Sequence, residues 1–356
     1  MRILLVISSL GIGGEQRAAS NLTFHFVEQG HDVTVLTFNL GPEDKRIAFD
    51  KRIGIIVKNK TKNNLYKLMC IRQLVKGYDV VIGFAIIPSI LSSFAAIGKK
   101  VPVVVCERND PDVYPRLWKA VRSLAYRFAK GAIFQTNDAS AYFDRKYFKK
   151  RIVIPNPVRT DIKNYIKPIN QRARVIVNTS RLTRVKNQEL LIRAFSRISS
   201  KYPDYAVELF GEGNNRENLL KMVSEYGLES RIHINPAIKD IFSAISPFSI
   251  FVLTSNHEGF PNSLAEAMSL GLACISVNCR IGGPKDMIKN GENGILVDVD
   301  DEDELSSALD VLLADDEYRR RLSQNAMELA DTLSIQKIGD KWLTFLGEIA
   351  NGKDKK

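Results

Sequence analysis

The stretch "MRILLVISSLGIGGEQR", residues 1–17, decides the fold class, because an apolar run leads directly into a glycine-rich turn. Such a run is typical of the first buried strand of a parallel α/β sheet, followed by a crossover helix. A dinucleotide fingerprint beginning at Gly11 needs a glycine at position 16, where this chain has Gln16. It also needs an acidic residue at the end of the second strand, which ends at Phe38 and Asn39. The sequence therefore argues against NAD binding.

Gly13 and Gly14 have another use in this turn. Glycines allow the first strand and its helix to approach closely, and the helix amides then face an anion or a hydroxyl group. The alternative is a tight packing turn without a ligand.

Short β-rich runs alternate with helix-length segments along the whole chain. They restart after the proline-punctuated segment 156–172, which we interpret as a linker. This pattern predicts an α/β protein with two Rossmann-like, doubly wound domains whose strand ends face a central cleft. The expected domains are residues 1–157, joined by a C-terminal helix at 335–350, and residues 172–334. The runs are "RILLVIS", "DVTVLTF", "VVIGF", "VPVVVCE", "GAIFQTN" and "RIVIPN", then "RVIVNTS", "AVELFGEG", "RIHINP", "SIFVLTS", "ACISV" and "GILVDV".

Composition indicates a cytoplasmic globular protein. The 356 residues are 45% hydrophobic and 26% charged, and the four cysteines show no C-x2-C pair. The apolar window 78–98 has the length of a membrane span, but Asp79, Gly83 and Pro88 divide it into a strand and a helix.

The net charge of +11 is concentrated in the first half, where residues 1–170 hold 28 Lys and Arg against 13 Asp and Glu. This excess predicts an anionic partner. The segment 112–131 mixes cations with aromatic residues in a way that suits an anionic membrane surface, although an ordinary crossover helix is the alternative. No nucleic-acid recognition module is recognisable, so we expect no nucleic-acid partner. The residues concerned are Arg116, Lys119, Arg122, Arg127 and Lys130 beside Trp118, Tyr126 and Phe128.

Two segments of the second half carry residues suited to a diphosphate ligand. "SRLTRVKN", residues 180–187, places Arg181 and Lys186 after a strand and before a helix that we expect Asn187 to cap. "NHEGFPNSLAEAMSLG", residues 256–271, carries Glu258 in a loop and Glu266 in the following helix. These carboxylates suit hydroxyl groups on either side of a phosphate.

The helix that carries Glu266 begins with free amides at Asn262, Ser263 and Leu264, which form an anion site by geometry and dipole. A third segment follows the next strand, where Gly282 and Gly283 let the backbone approach a ligand closely. The acidic run "DVDDEDE", residues 298–304, is interpreted as a helix cap and a solvated face, so no metal site is expected.

The chain closely resembles the retaining GT-B glycosyltransferases of the α-mannosyltransferase-like family (glycosyltransferase family 4, group 1), most specifically over residues 178–298. The resemblance implies that Arg181 and Lys186 hold the donor diphosphate. It implies that Glu258 contacts the donor sugar, that Glu266 contacts the ribose, and that the amides of residues 262–264 complete the diphosphate site. Gly13 and Gly14 would face the phosphates across the cleft.

The chain departs from the family after the strand "VPVVVCE", where relatives commonly have a histidine. Here Glu107, Arg108, Asn109 and Asp110 follow, and the resemblance places them beside the transferred sugar and the acceptor. A guanidinium stays protonated at working pH, so Arg108 can stabilise phosphate or orient the acceptor but cannot act as a general base. The alternative is that Arg108 is a structural partner of Glu107 or Asp110.

The expected function is transfer, with retention, of a hexose or N-acetylhexosamine from a nucleoside diphosphate sugar, preferably UDP-linked. The acceptor would be a hydroxyl of a lipid-linked or soluble glycan, with a polyprenyl-diphosphate oligosaccharide of surface polysaccharide biosynthesis favoured. We expect no metal and no cofactor besides this co-substrate, and a cytoplasmic enzyme peripheral to the inner face of the membrane. The alternatives are a sugar-nucleotide epimerase or phosphorylase on the same fold, or a non-catalytic lipid-glycan binding subunit.

Overall fold

A computed structural model of the protein describes residues 1–11, 13–41, 46–58, 63–143, 147–148 and 150–352. The chain forms two compact units. One unit combines Met1–Pro157 with Ser334–Lys356, and the other is Val158–Leu333. Each unit is built around one parallel sheet, which confirms the predicted α/β class with two Rossmann-like domains.

The sheet of the first unit has the strand order β3-β2-β1-β4-β5-β6-β7 in the described residues, and all of its pairs are parallel. Its central strands are buried on both faces because helices cover them, as the continuous apolar runs predict. The strands are β1 Arg2–Val6, β2 Asp32–Thr37, β3 Gly54–Val57, β4 Val80–Gly83, β5 Val103–Glu107, β6 Gly131–Phe134 and β7 Arg151–Val153.

The second unit repeats this arrangement with the order β10-β9-β8-β11-β12-β13. In both sheets the strand order reverses beside the first strand, between β1 and β4 and between β8 and β11. Ligands of doubly wound folds bind at the carboxyl ends of strands at this reversal. The strands are β8 Ala173–Thr179, β9 Ala206–Phe210, β10 Ile232–Asn235, β11 Phe248–Leu253, β12 Ala273–Val277 and β13 Ile295–Val297.

Helices connect the strands and cover the sheets. In chain order they are α1 Gly14–Glu28, α2 Asn64–Leu74, α3 Ile86–Ala95, α4 Arg116–Tyr126, α5 Asn137–Tyr142, α6 Gln188–Ile198, α7 Arg216–Glu225, α8 Ile241–Ile245, α9 Asn262–Ser269, α10 Gly283–Met287, α11 Glu302–Ala314, α12 Asp316–Ala326, α13 Glu328–Thr332 and α14 Ile335–Ala350.

The C-terminal helix α14 belongs to the first unit, although it follows the second unit in the sequence. Its Trp342 is fully buried, and the centroid of the Trp342 ring lies 6.4 Å from that of Phe26 and 5.8 Å from that of Phe84. Gly339 faces α1 so closely that a Cβ there would lie 2.2 Å from the His25 ring. The His25 ring also contacts the Asp340 carboxylate at 2.9 Å. The helix therefore closes the core over β4 and α1.

Residues 158–172, which the sequence analysis interprets as a linker, lie in the second unit instead. A 3-10 helix at Ile162–Tyr165 packs against α8 and α9, and the Tyr165 ring lies 5.6 Å from that of Phe242. The prolines suggested an extended connection, but apolar side chains anchor the segment to the fold.

The apolar window 78–98 divides into β4 and the helix α3, which is ten residues long. No helix in the described part of the chain is both long and apolar enough to cross a membrane. All four cysteines are buried and free.

Candidate active site

The loops that follow β8 and β11 meet at the strand reversal of the second sheet. The hydroxyl of Thr254 donates to the carbonyl oxygen of Lys186 at 2.9 Å. The backbone N–H of Asn256 donates to the carbonyl oxygen of Val185 at 2.9 Å. These bonds hold the loop 180–187 against the loop that carries Glu258, as expected for two neighbouring carboxyl ends.

Lys186 and Glu258 form an ion pair at this point. The Lys186 Nζ lies 2.5 Å from Glu258 Oε1, and the two side chains are 16% and 13% exposed. The structure therefore brings together two predicted site residues that are 72 positions apart in the sequence. Local spacing in the sequence indicated separate ligand contacts for these residues and did not indicate that they form an ion pair with each other.

Arg181 has a different environment from Lys186. Its side chain is exposed, and no ion pair of Arg181 occurs among the residues described. Its carbonyl oxygen accepts a bond from the Gln188 side chain at 3.0 Å. The backbone beneath the guanidinium is thus fixed while the charge stays accessible to an anion.

A buried polar network supports this loop, and sequence reasoning missed it. Gln188 donates to the Ser180 hydroxyl at 2.7 Å, and Ser180 donates to Asn178 Oδ1 at 2.8 Å. Asn178 in turn donates to the carbonyl oxygen of Val252 on β11 at 2.7 Å. Polar residues at the end of an otherwise apolar strand were the feature of the sequence that could have indicated this network.

Asn187 does not cap α6 as expected. It adopts a left-handed conformation with φ 48°, and its side chain makes no capping bond. Instead, its Nδ2 donates to Asn256 at 3.1 Å and to Asp300 at 3.2 Å. Because the amide bridges two other loops, Asn187 joins three chain segments rather than closing the helix.

The start of α9 differs in one respect from the predicted row of free amides. The N–H of Leu264 donates to the carbonyl oxygen of Pro261 at 3.1 Å, so it closes the first turn and is not free. Asn262, Ser263 and Glu266 are partly exposed around this turn.

Gly283 lies against protein backbone, although its position after a strand suggested a close approach to a ligand. A Cβ at this position would lie 2.2 Å from the carbonyl oxygen of Gly259 and 2.6 Å from Pro261 Cδ. The preceding Gly282 has φ 69°, which favours glycine. Gly283 therefore supports the loop that carries Glu258, and Gly282 supplies the backbone conformation that precedes it. In the acidic run 298–304, Asp301 caps α11 by accepting from the N–H of Glu304 at 2.8 Å.

In the first unit, α1 begins at Gly14, and Gly13 occupies the cap position without a side chain. Glu15 in the first turn accepts a bond from the N–H of Ser8 at 3.0 Å. Burial raises the pKa of Glu15, while this bond and the charge of Arg108 act in the opposite direction. The sequence alone does not indicate that Glu15 and Arg108, 93 positions apart, lie close together.

Arg108 lies at the carboxyl end of β5 and is held in place by its surroundings. Its guanidinium donates to Asn156 Oδ1 at 2.5 Å and stacks 4.0 Å from the Phe84 ring centroid. Gln135 contacts the same Asn156 side chain at 2.7 Å. Burial lowers the pKa of Arg108 to about 10, so it remains a cation at neutral pH. Gln135 directly follows β6 and Asn156 lies three residues after β7, and polar residues just beyond strand ends could have revealed them.

The structure does not support the predicted position of Glu107 beside the acceptor, because its carboxylate is buried in the core. It accepts a bond from the Tyr126 hydroxyl at 2.6 Å and lies 3.6 Å from the Arg122 guanidinium. Burial raises the pKa of Glu107 to about 7 against the opposing effects of Arg122 and Tyr126. Beyond it, Asn109 is exposed and Asp110 accepts from the N–H of Asp112 at 2.8 Å in a turn.

The prediction that Arg122 and Tyr126 belong to a membrane-facing surface is wrong. Arg122 is 1% exposed, stacks 4.8 Å from the Phe143 ring and donates to the carbonyl oxygen of Pro111 at 2.9 Å. Helical spacing could not reveal the buried carboxylate that attracts this cation.

Two family models match the chain. The model described as Glycosyltransferase Family 4 matches residues 12–162, and the model described as Glycosyl transferases group 1 matches residues 160–329. The chain therefore belongs to the group 1, family 4 glycosyltransferases, and its two parallel-sheet units have the GT-B fold.

Two sequence relatives and one solved structure match nearly the whole chain. One relative is the GalNAc-alpha-(1->4)-GalNAc-alpha-(1->3)-diNAcBac-PP-undecaprenol alpha-1,4-N-acetyl-D-galactosaminyltransferase of Campylobacter jejuni, 24% identical over 99% of both chains. The amylovoran biosynthesis glycosyltransferase AmsD of Erwinia amylovora is 21% identical over 97% of this chain and 99% of its own. The solved structure of Anabaena HepE with UDP-glucose has a TM-score of 0.81 at 20% identity, over 98% of this chain and 100% of that one.

Proposed function

We propose that this glycosyltransferase moves a hexose or N-acetylhexosamine from a UDP-linked sugar to a glycan hydroxyl, with retention at the anomeric carbon and without a metal. The observation that carries the proposal is the Lys186–Glu258 pair at the strand reversal of the second sheet. A cation and a carboxylate held together there suit the two halves of a sugar diphosphate. Arg181 adds an accessible second cation.

In the proposed reaction, the bond between the anomeric carbon and the diphosphate oxygen breaks, and its electron pair stays on the diphosphate. Arg181 and Lys186 stabilise this growing negative charge, which is the largest catalytic effect available here. Glu258, released from Lys186, accepts hydrogen bonds from hydroxyls of the donor sugar, and Glu266 accepts them from the ribose.

The acceptor hydroxyl attacks the face from which the diphosphate leaves, and its proton passes to a phosphate oxygen of the leaving group. This route requires no histidine base. The proposal also assigns to Arg108 a role on the departing phosphate or on the acceptor, because it is a fixed cation at a strand end. Arg108→Ala should therefore reduce kcat far more than His257→Ala, and equal kinetics of the two variants would remove this assignment.

Relatives support the nature of both substrates. The Campylobacter relative is named for an undecaprenyl-diphosphate-linked acceptor, and the HepE structure contains UDP-glucose. By this likeness we propose a polyprenyl-diphosphate-linked glycan acceptor and a UDP-linked donor.

The surface formed by α4 and its flanking residues, 113–130, supports delivery of such an acceptor at the inner face of the membrane. Leu117 is 74% exposed, and Val113, Leu124 and Phe128 are also exposed large apolar residues. Arg116, Arg127 and Lys130 are exposed cations of the same segment. Apolar side chains flanked by cations suit a headgroup region rich in anionic lipid. We propose that this surface binds the membrane peripherally.

The test is release of UDP from a panel of UDP-sugars, with and without a polyprenyl-diphosphate glycan. We expect acceptor-dependent release that continues in excess EDTA, with an α-linked product if the donor is α-linked. An epimerase would not release UDP, a phosphorylase would require phosphate, and a binding subunit would release nothing. Loss of activity in EDTA, restored by Mn²⁺, would contradict the metal-independent mechanism.

The site assignment is tested by Arg181→Ala and Lys186→Ala. Each should cost roughly 2–4 kcal/mol in kcat/KM, because both cations act on charge that grows in the transition state. Arg184→Ala is the matched control, because Arg184 is an exposed cation of the same loop. Unchanged kinetics of the Arg181 and Lys186 variants would place the donor elsewhere.

A further inference from the structure

A basic cavity lies at the amino-terminal edge of the second sheet, away from the loops assigned to the donor. It has a volume of about 210 Å³ and is lined by residues near the starts of β8 and β11 and by α12. Four arginines and one carboxylate line it, together with neutral residues. The charged residues are Arg172, Arg174, Arg319, Arg320 and Asp316. The cavity is large enough for several water molecules, and so for a phosphate group.

Carboxylates neutralise only part of this charge. Arg319 pairs with Asp316 at 2.5 Å, and Arg174 pairs with Asp204 at 3.0 Å. Neither Arg172 nor Arg320 has a carboxylate partner within the described residues. The cavity therefore keeps a net positive charge that an anion would balance.

Arg172 is a fixed cation rather than a mobile surface side chain. It donates to the carbonyl oxygens of Gly271, of Leu270 at 2.6 Å and of Lys167 at 3.1 Å. Its Nε–H is buried without an acceptor among the residues described. Burial lowers the pKa of Arg172 to about 10, so the charge persists at neutral pH. An arginine held in this way loses little conformational entropy when it binds an anion.

A second cavity of about 210 Å³ adjoins the first and shares Arg174 and Asp316 with it. Tyr205 and Lys201 line this second cavity. Tyr205 is 2% exposed, yet its hydroxyl has no hydrogen-bond partner in the described structure. A buried hydroxyl without a partner is unfavourable, which indicates that a polar ligand group completes it.

We propose that the two cavities form a second ligand site, for a phosphate monoester whose organic part offers oxygen atoms for hydrogen bonding. Arg172, Arg174 and Arg320 bind the phosphate, and Tyr205 hydrogen-bonds the remainder of the molecule. A sugar phosphate and the headgroup of phosphatidic acid share this phosphate chemistry. The site goes beyond the proposed transfer reaction, because none of its residues takes part in donor binding.

The test is calorimetric titration of the full-length protein with inorganic phosphate and with glucose 1-phosphate. Arg320→Gln should weaken binding of both about tenfold, because a charge-assisted hydrogen bond is lost. Arg321→Gln is the matched control, because this exposed neighbour on α12 does not line either cavity. Tyr205→Phe should weaken only glucose 1-phosphate, and it should leave unfolding unchanged because the hydroxyl has no partner to lose.

Titration of Arg181→Ala separates this site from the donor site. We expect that variant to keep the binding that Arg320→Gln loses. Loss of binding in Arg181→Ala with full binding in Arg320→Gln would show that the phosphate occupies the donor site, and would overturn the proposal.

Sedimentation with vesicles of phosphatidic acid or phosphatidylcholine distinguishes the sources of the phosphate. It is carried out in the Leu117→Glu background, because the surface around α4 would otherwise bind anionic vesicles by itself. Binding to phosphatidic acid alone that is lost in Arg320→Gln would identify a lipid headgroup, whereas glucose 1-phosphate binding without vesicle binding would identify a soluble ester. Absence of binding to phosphate, to glucose 1-phosphate and to both kinds of vesicle would overturn the proposal.

Discussion

The Lys186–Glu258 pair gives a quantitative test of the donor site, because the contacts proposed for the donor require the two charges to separate. At 2.5 Å, their Coulomb attraction is about 7 kcal/mol at an effective dielectric constant of about 20, before desolvation is subtracted. Desolvation cancels much of this for partly buried ions, and removal of one partner leaves the other uncompensated. We therefore expect either single change, Lys186→Met or Glu258→Gln, to lower the free energy of unfolding by about 2 kcal/mol. The double variant should recover part of that loss.

Binding of UDP should respond in opposite directions to the two changes. Lys186→Met removes a cation from the diphosphate and should weaken UDP about thirtyfold, which corresponds to about 2 kcal/mol. Glu258→Gln removes a competitor for Lys186, so UDP, which has no sugar for Glu258 to contact, should bind about fivefold more tightly. Turnover with a UDP-sugar should nevertheless fall in Glu258→Gln, because the hydroxyls of the donor sugar lose their hydrogen bonds to the Glu258 carboxylate.

Both effects are measured on the unmodified protein, the two single variants and the double variant. UDP binding is measured by calorimetric titration, and stability is measured by chemical denaturation. Glu225→Gln is the control, because its 3.5 Å pair with Lys221 is exposed and should contribute little. Weaker UDP binding in both single variants would refute competition between Glu258 and the diphosphate.

Three further outcomes follow from the packing and charge of particular residues. Gly283→Ala should lower the free energy of unfolding by about 1–3 kcal/mol, since its Cβ would lie 2.2 Å from a carbonyl oxygen of the Glu258 loop. The control Gly347→Ala, with no neighbouring atom within 4 Å, should not lower the melting temperature, and equal melting temperatures of the two variants would contradict this prediction. Leu117→Glu should reduce sedimentation with anionic vesicles about tenfold, whereas Val311→Glu, also at an exposed apolar residue, should not; equal losses would contradict a specific membrane surface. Burial raises the pKa of Glu107 from its ordinary 4.5 to about 7, so the folded state binds more protons between these values. Its contribution to stability is complete below pH 4.5 and is lost as the pH rises through 7, by up to about 3 kcal/mol; Glu107→Gln should remove this dependence in denaturation curves at pH 5 and pH 8, and an unchanged dependence would exclude Glu107 as its source.

The sequence predicted the fold well because buried parallel strands are continuous apolar runs with polar breaks between them. The strand it missed, β3 at Gly54–Val57, lies at the edge of its sheet, and its side chains are largely exposed. The strand contains the apolar residues Ile55, Ile56 and Val57, but so short a run does not distinguish an edge strand from any other short apolar segment.

The candidate site was predictable in its parts and not in its pairings. Loops after neighbouring strands indicated that residues near 181 and 258 would meet, since parallel strands bring their carboxyl ends to one edge. The ion pair of Lys186 with Glu258 depends on side-chain positions separated by 72 residues, and local spacing contains no information about it. The prediction that Arg122 belongs to a membrane-facing surface was wrong for the same reason, because its partner Glu107 lies on another element. Helical periodicity treats every arginine as a surface residue.

The placement of α14 in the first unit has a consequence for the order of events during synthesis. The ribosome completes residues 1–157 long before it reaches the helix that contributes Trp342 to that unit. At about 5–20 residues per second, the roughly 180 residues in between require about 9–36 s. During this interval Phe26 and Phe84 lack the indole that covers them in the finished protein. The nascent first half therefore exposes an apolar surface that chaperones can bind, and chain termination before residue 335 would leave this surface open permanently.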